Sequence, residues 1–240
     1  MGPLPAARGT TMRTIGLIGG MSWESTAEYY RLINEFTRER LGGLHSARCV
    51  LYSVDFAEIE RLQVQGRWAE AAEVLAEAGR SLERAGADMV LICTNTMHKV
   101  ADQVEAAVSV PLLHLADATA QAVRDAGLRR IGLLGTAFTM EEDFYRDRLA
   151  AGGLEVRVPD AAGRSVVHRV IYEELCLGVV REESRRAYRH IIEELVAQGA
   201  EGVVLGCTEI ELLVGPQDSR VPVFPTARLH AAAAVKAALA

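Results

Sequence analysis

Hydrophobic positions along this chain fall into short continuous runs separated by longer stretches where apolar residues recur at helical spacing. The runs Thr14–Ile18, Cys49–Val54, Met89–Cys93, Pro111–Leu115, Arg130–Leu134, Glu155–Val158, Val203–Leu205 and Val221–Phe224 read as strands. The stretches Ser22–Arg40, Trp68–Ala85, Met97–Ala107, Asp117–Ala126, Met140–Ala150, Ser165–Leu175, Glu183–Gln198 and Leu229–Leu239 read as helices, the fourth opened by an acidic N-cap. Strands that are apolar throughout, alternating with helices, predict an α/β fold of mostly parallel sheets covered on both faces.

The second half repeats the first. Thr14-Ile-Gly-Leu-Ile-Gly-Gly-Met matches Arg130-Ile-Gly-Leu-Leu-Gly-Thr-Ala, and Gly86-Ala-Asp-Met-Val-Leu-Ile-Cys-Thr-Asn-Thr matches Gly199-Ala-Glu-Gly-Val-Val-Leu-Gly-Cys-Thr-Glu. Ser109-Val-Pro-Leu matches Arg220-Val-Pro-Val, in the same order and at nearly the same offset. Any α/β protein yields strand motifs of this kind, but ordered matches are harder to get by chance than one. The repeat predicts two pseudo-symmetric lobes, each a mostly parallel sheet flanked by helices, with an active site in the cleft between them. The first lobe is expected to span residues 12–116 plus the C-terminal helix 228–240, and the second residues 117–227. Residues 1–11 are expected to form a loose leader, with Met12 as an alternative start.

Composition narrows the function. The 240 residues carry a formal net charge of −6 with no basic stripe, which argues against nucleic acid as a partner. Apolar runs such as Met89–Ile92 are far too short to cross a membrane. The four cysteines, Cys49, Cys93, Cys176 and Cys207, form no C-x-x-C pair and read as reduced thiols of a cytoplasmic protein. His45, His114, His168, His190 and His230 show no metal-ligand clustering. Gly16-x-x-Gly-Gly is only part of a dinucleotide fingerprint, there is no Walker motif, and no lysine sits in a pyridoxal-binding context, so no cofactor is expected.

The repeat lays Thr94 over Cys207, each just beyond a buried strand, where open α/β sheets bind ligands. Proton-active groups on opposite sides of one cleft suit the removal of a proton from one face of a carbon and its return to the other.

From about Met12 to its end the chain resembles the cofactor-independent aspartate/glutamate racemases. The resemblance rests on Ile15-Gly-Leu-Ile-Gly-Gly-Met, Thr94-Asn-Thr-Met-His, Val170-Ile-Tyr-Glu-Glu-Leu and Gly206-Cys-Thr-Glu. It implies a pair of thiol bases around the substrate α-carbon, the second of which is Cys207. The first cysteine is replaced by Thr94, as in a subgroup that shares Met-Ser-Trp-Glu-Ser-Thr and Glu-Glu-Leu-Cys-Leu-Gly. Cys93 lies one position earlier and should face the core, because successive strand side chains alternate. With an alcohol as one base, Cys207 must be the strong one, its pKa expected to be lowered by nearby donors.

Racemisation also requires donors for the charge that develops beside the carboxylate. Asn95, Thr96 and Thr208 adjoin the catalytic positions, and Met21, Ser22 and Thr136 occupy equivalent loops after the first strand of each repeat. Helix capping is the alternative for Ser22, Thr96 and Thr208, with a substrate role favoured for Thr96 and Thr208 because they adjoin the bases, and packing is the alternative for Met21. His98 is expected just behind the site, orienting its loop, with direct proton transfer as the alternative. Two-cysteine aspartate racemases carry an arginine after the second strand and a lysine near the position of Tyr172. Here the first region reads Ser53-Val-Asp-Phe-Ala-Glu-Ile-Glu-Arg-Leu-Gln and the lysine position is Cys176. The resemblance to the subgroup implies Gln63 as the contact to a distal carboxylate or amide, and Arg61 is a source of charge or a solvated helix residue. Trp23 and Trp68 are read as packing, Cys49 and Cys176 as inert core thiols, and Glu141-Glu-Asp143 as the first turn of a helix.

The leading expectation is therefore a racemase of aspartate, glutamate or a broader range of amino acids, with a homodimer as the assembly considered. A decarboxylase or isomerase of a small dicarboxylate, which needs one acid only, is the alternative within the superfamily. A non-catalytic carboxylate-binding protein is the third.

Overall fold

The computed structural model of the chain describes residues 12–240, so the expected leader lies outside the described residues. Two parallel sheets form the frame. The first has β2 (Cys49–Ser53), β1 (Ile15–Gly19) and β3 (Met89–Ile92) in the order β2-β1-β3. The second has β5 (Glu155–Arg157), β4 (Arg130–Gly135), β6 (Gly202–Gly206) and β7 (Val223–Pro225) in the order β5-β4-β6-β7. The repeat is thus realised in topology: the first strand of each half is central, its sequel on one flank and the strand after that on the other. All named pairings are parallel, with Ile18 opposite Ile92 and Leu134 opposite Leu205.

Helices cover the sheets because their buried residues recur every three or four positions. In α1 (Trp23–Leu41) these include Ser25, Tyr29, Leu32 and Ile33, and in α3 (Trp68–Arg84) they include Ala71, Leu75, Ala78 and Leu82. The first lobe adds α2 (Phe56–Val64) and α4 (Ala101–Ala106). Around the second sheet lie α5 (Leu115–Asp125), α6 (Ala137–Glu141), α7 (Asp143–Ala151), α8 (Ala161–Glu173), α9 (Glu182–Ala197) and α10 (Ile210–Leu213). The last helix, α11 (Thr226–Ala238), follows β7 but buries Ala227, Ala231, Ala234 and Val235 in one cluster with Leu17, Tyr29, Leu91 and Cys93 of the first half. Its small alanine face lets it approach closely. No helix among the described residues is long and apolar enough to cross a membrane.

Several elements depart from the sequence expectation. Pro111–Leu115 forms only an isolated bridge, Leu112 to Val90, because proline lacks the N–H that would extend the ladder. The helix expected from Met97 starts as a 3-10 turn, Thr96–Val100. Met140–Ala150 is broken into α6 and α7, with Glu142 extended between them. Its acidic run is therefore not one first turn: Glu141 pairs with Arg164, Glu142 with Lys99 and Asp143 with Arg146. The helix expected from Ser165 begins at Ala161, where Asp160 accepts from the Gly163 N–H at 2.7 Å. The cap of α5 is His114 and not Asp117, which instead pairs with Arg148. Trp23 is 68% exposed and packs against no core, contrary to expectation.

Candidate active site

The loops that follow β1, β3, β4 and β6 at their carboxyl ends meet α2 and α8 around a small cavity. Met21, Ser22, Thr94, Asn95, Thr96, Thr136, Cys207 and Thr208 all line it, and so does Gln63 of α2. These nine of the ten residues singled out in the sequence converge although they are spread from position 21 to 208. Side chains of both halves contribute, so one half alone leaves the cavity unwalled.

Cys93 lies with Thr94 beyond the end of β3, not within the strand as expected, and their surroundings nonetheless differ. Cys93 is fully buried with Leu17, Leu91 and Tyr29, and burial pushes its thiol pKa up. Thr94 lines the cavity, and its hydroxyl has no protein partner among the hydrogen bonds of the described residues.

Cys207 stands immediately after Gly206, the last residue of β6. It is partly buried, and its Sγ–H donates to Glu209 Oε2 at 2.8 Å. The other carboxylate oxygen, Glu209 Oε1, accepts from Ser22 Oγ at 2.7 Å across the two halves. Burial and the adjacent Glu209 carboxylate raise the Cys207 thiol well above its ordinary value. This corrects the expectation of a thiol lowered by neighbouring donors: a nearby negative charge disfavours a thiolate. At rest Cys207 is a neutral thiol with a proton acceptor already in contact.

His98, the tenth residue, lies behind the cavity. Its Nδ1 is 2.7 Å from the Thr94 carbonyl oxygen, and its Nε2 accepts from the Leu115 N–H at 3.2 Å. The second contact fixes the proton on Nδ1, which donates to Thr94. Both ring nitrogens are occupied, and burial pushes its pKa down to about 4. The ring orients the Thr94 backbone and is not poised to carry a proton to the hydroxyl. The rings of His114 and His230 lie beside it, at 4.5 and 5.9 Å between centroids. That these three rings meet is not visible in the sequence, because the residues are distant in the chain. Among the described residues no group of side chains could hold a metal ion.

The polar lining is divided between donors and acceptors. Thr96 and Thr136 hydroxyls are 3.1 Å apart, joining the two halves. Thr136 also caps α6, accepting from the Thr139 N–H, whereas neither Thr96 nor Thr208 caps a helix. Ser22 both caps α1 and reaches Glu209. Asn95 departs from its expected role as a donor. Thr226 gives its hydroxyl proton to the Leu205 carbonyl, so Asn95 Nδ2 donates to Thr226 Oγ1 at 3.0 Å. That leaves Asn95 Oδ1 buried and without a partner. Gln63 likewise donates Nε2 to the Met97 sulfur at 3.0 Å, leaving Oε1 unpaired. Buried acceptors left open are costly unless something donates to them.

Sequence reasoning missed Ser25, Phe56, Ile171, Tyr172, Cys176 and Glu209 as lining residues. Glu209 was in plain view as the last residue of Gly-Cys-Thr-Glu, and the repeat sets it opposite Thr96. Cys176 is no core thiol but part of the cavity wall, where burial and Glu209 push its pKa up to about 12. Arg61 points away, into an outer groove with Glu58, Glu70 and Glu73.

This arrangement can be set against known proteins. A crystal structure of a Yersinia pestis protein assigned to the Asp/Glu racemases is 57% identical, covering 95% of this chain and all of that one, with a TM-score of 0.91. An aspartate racemase homologue from Pyrococcus horikoshii OT3 is 36% identical over 95% of this chain and 99% of that one, with a TM-score of 0.84. The broad specificity amino-acid racemase RacX of Bacillus subtilis is 21% identical, over 94% of this chain and 98% of its own length. The family model described as Asp/Glu/Hydantoin racemase matches residues 18–234. With nearly the whole chain matched and both halves of the two-lobed fold in place, this protein belongs to the Asp/Glu/Hydantoin racemase family.

Proposed function

We propose that this protein racemises a free amino acid without a cofactor, using Cys207 as the strong base and Thr94 as the weak one. The observation that carries the reading is that these two side chains, equivalent in the repeat, line one cavity with a carboxylate in contact with the thiol. In this reading the Cys207 proton passes to Glu209 Oε2 as substrate binds. An arriving α-ammonium offsets the negative charge of Glu209 and so favours the thiolate. The thiolate takes the α-hydrogen of one enantiomer and becomes a thiol again. The planar carbanion is then protonated from the other face by a water held at the Thr94 hydroxyl. The hydroxide left there and the proton on Glu209 recombine through solvent, so the protons balance. Hydroxyls of Thr96, Thr136 and Thr208 stabilise the developing charge, and Asn95 Oδ1 is suited to accept from the ammonium.

The space open to water centres in the cavity is about 30 Å³, enough for roughly two waters. Substrate entry in this reading therefore includes a parting of the walls. Four unpaired cysteines fit a reducing, cytoplasmic setting. The test is α-proton exchange by NMR in heavy water, with no cofactor added, followed by chiral analysis of the product. Release of carbon dioxide with no exchange would instead identify a decarboxylase. Binding without either reaction would identify a carboxylate-binding protein.

A further inference from the structure

The wall of the cavity beyond the proton-transfer residues is made by Phe56 and Gln63 of α2, Ile171 and Tyr172 of α8, and Cys176. Phe56 and Gln63 are seven residues apart and so share one face of their helix. Two of the five residues are hydrocarbon only, and the other three carry an amide, a phenol and a thiol. Burial raises the phenol and thiol pKa values, so both are neutral at pH 7.

No lysine or arginine lines the cavity among the described residues. The cations of the surrounding elements are engaged elsewhere. Lys99 pairs with Glu142 at 2.5 Å and covers the Trp68 ring at 3.9 Å. Arg164 pairs with Glu141 and Arg169 with Glu174, while Arg61 faces the outer groove. Among the described residues the one carboxylate lining the cavity is Glu209. A distal carboxylate on the substrate would thus enter a site with no counterion and a charge of its own sign. Ionised groups are buried only when paired. The open acceptor Gln63 Oε1, by contrast, matches a hydrogen-bond donor.

We infer that the side-chain subsite takes an amino acid whose side chain is uncharged and offers a donor to Gln63, as an amide or hydroxyl does, and rejects the acidic isosteres. This rests on the racemase reading for its reaction but not for its geometry.

The test compares L-asparagine with L-aspartate and L-glutamine with L-glutamate, pairs that differ in charge and hardly in shape, with L-serine and L-alanine alongside. α-Deuteration in heavy water should favour each amide over its acid by at least about 100-fold in kcat/KM, the size expected when a buried group is left unpaired. Cys176→Lys supplies a cation to the same wall and should narrow that ratio at least about 10-fold. Faster exchange of aspartate or glutamate by the unaltered protein would overturn the inference while leaving the racemase reading intact. Calorimetric titration with the same panel reads the subsite apart from turnover. Tighter binding of the amides without any exchange would sink the racemase reading and uphold the subsite, and tighter binding of the acids would overturn the subsite.

Discussion

Glu209 holds both halves of the site at once, accepting from Cys207 Sγ through one oxygen and from Ser22 Oγ through the other. Ser25, one turn further along α1, adds a second link, 2.9 Å from the Thr208 hydroxyl and 3.2 Å from the Cys93 carbonyl. The start of α1 therefore carries the geometry of the Gly-Cys-Thr-Glu loop.

Replacing Glu209 by Gln keeps the shape and removes the proton acceptor. Turnover should fall by about 10²–10⁴-fold, the range typical of losing a general base. Removing the negative charge should at the same time lower the pH at which Cys207 is alkylated by iodoacetamide, because that carboxylate raises the thiol pKa. Undiminished turnover in Glu209→Gln would show that the contact is structural.

Cys207→Ala and Cys207→Ser should both abolish turnover with the fold retained, as judged by circular dichroism. Substrate should protect Cys207 from iodoacetamide. Labelling confined to Cys49, Cys93 or Cys176 would count against the assignment.

Cys93→Ala should leave turnover nearly unchanged and lower stability by about 1 kcal/mol through lost packing, since Cys93 is fully buried away from the cavity. Urea unfolding alongside steady-state rates measures both. A catalytic loss as deep as that of Cys207→Ala would place Cys93 in the first base position.

In the proposed reading Cys207 is the strong base and Thr94 the weak one, so the two enantiomers should exchange unequally. The equilibrium constant between enantiomers is unity, which forces equal kcat/KM in the two directions. Asymmetry must show in separate kcat and KM values, or in exchange that returns the starting enantiomer. The enantiomer whose α-hydrogen meets Cys207 should take up deuterium, often without inversion, while the other exchanges slowly. Thr94→Cys supplies a second thiol and should speed the slow one. Equal deuteration of both enantiomers, unaltered in Thr94→Cys, would refute a weak base at position 94.

Acid should destabilise the fold before carboxylates alone would. Burial pushes His98 down to about 4, His114 to about 2 and His230 to about 3. In the unfolded chain each titrates near 6.5. Below that pH the unfolded state binds protons that the folded state refuses, so stability falls as pH falls. Glu211 acts in the opposite sense, because its carboxyl is raised to about 7 by burial and then by Glu28, and it holds a proton when folded. Three histidines outweigh one carboxyl, leaving a net loss of roughly 2–4 kcal/mol between pH 7 and pH 5. Urea midpoints that do not move over this interval would contradict the neutral histidine cluster.

Much of this protein was legible in one dimension. Buried parallel strands need apolar residues on both faces, so β1, β3, β4 and β6 announce themselves as continuous runs, and their repetition announces two lobes. Loops that begin where such strands end must lie at one edge of the sheet, which is why Thr94, Asn95, Thr96, Thr136, Cys207 and Thr208 could be picked out as a group. The repeat likewise set Thr94, and not Cys93, opposite Cys207.

What the tertiary structure alone decided concerns partners distant in the chain. The proton on a thiol depends on the charge beside it, and that Glu209 also holds Ser22 is invisible until α1 meets the loop after β6. Whether Asn95 offers a donor or an acceptor depends on Thr226, 131 residues away. The histidine ring behind Thr94 is neutral because His114, His230 and the α5 backbone enclose it. That no cation of the described residues lines the cavity wall follows from which faces of α2 and α8 turn inward, a matter of packing between two halves that local sequence does not encode.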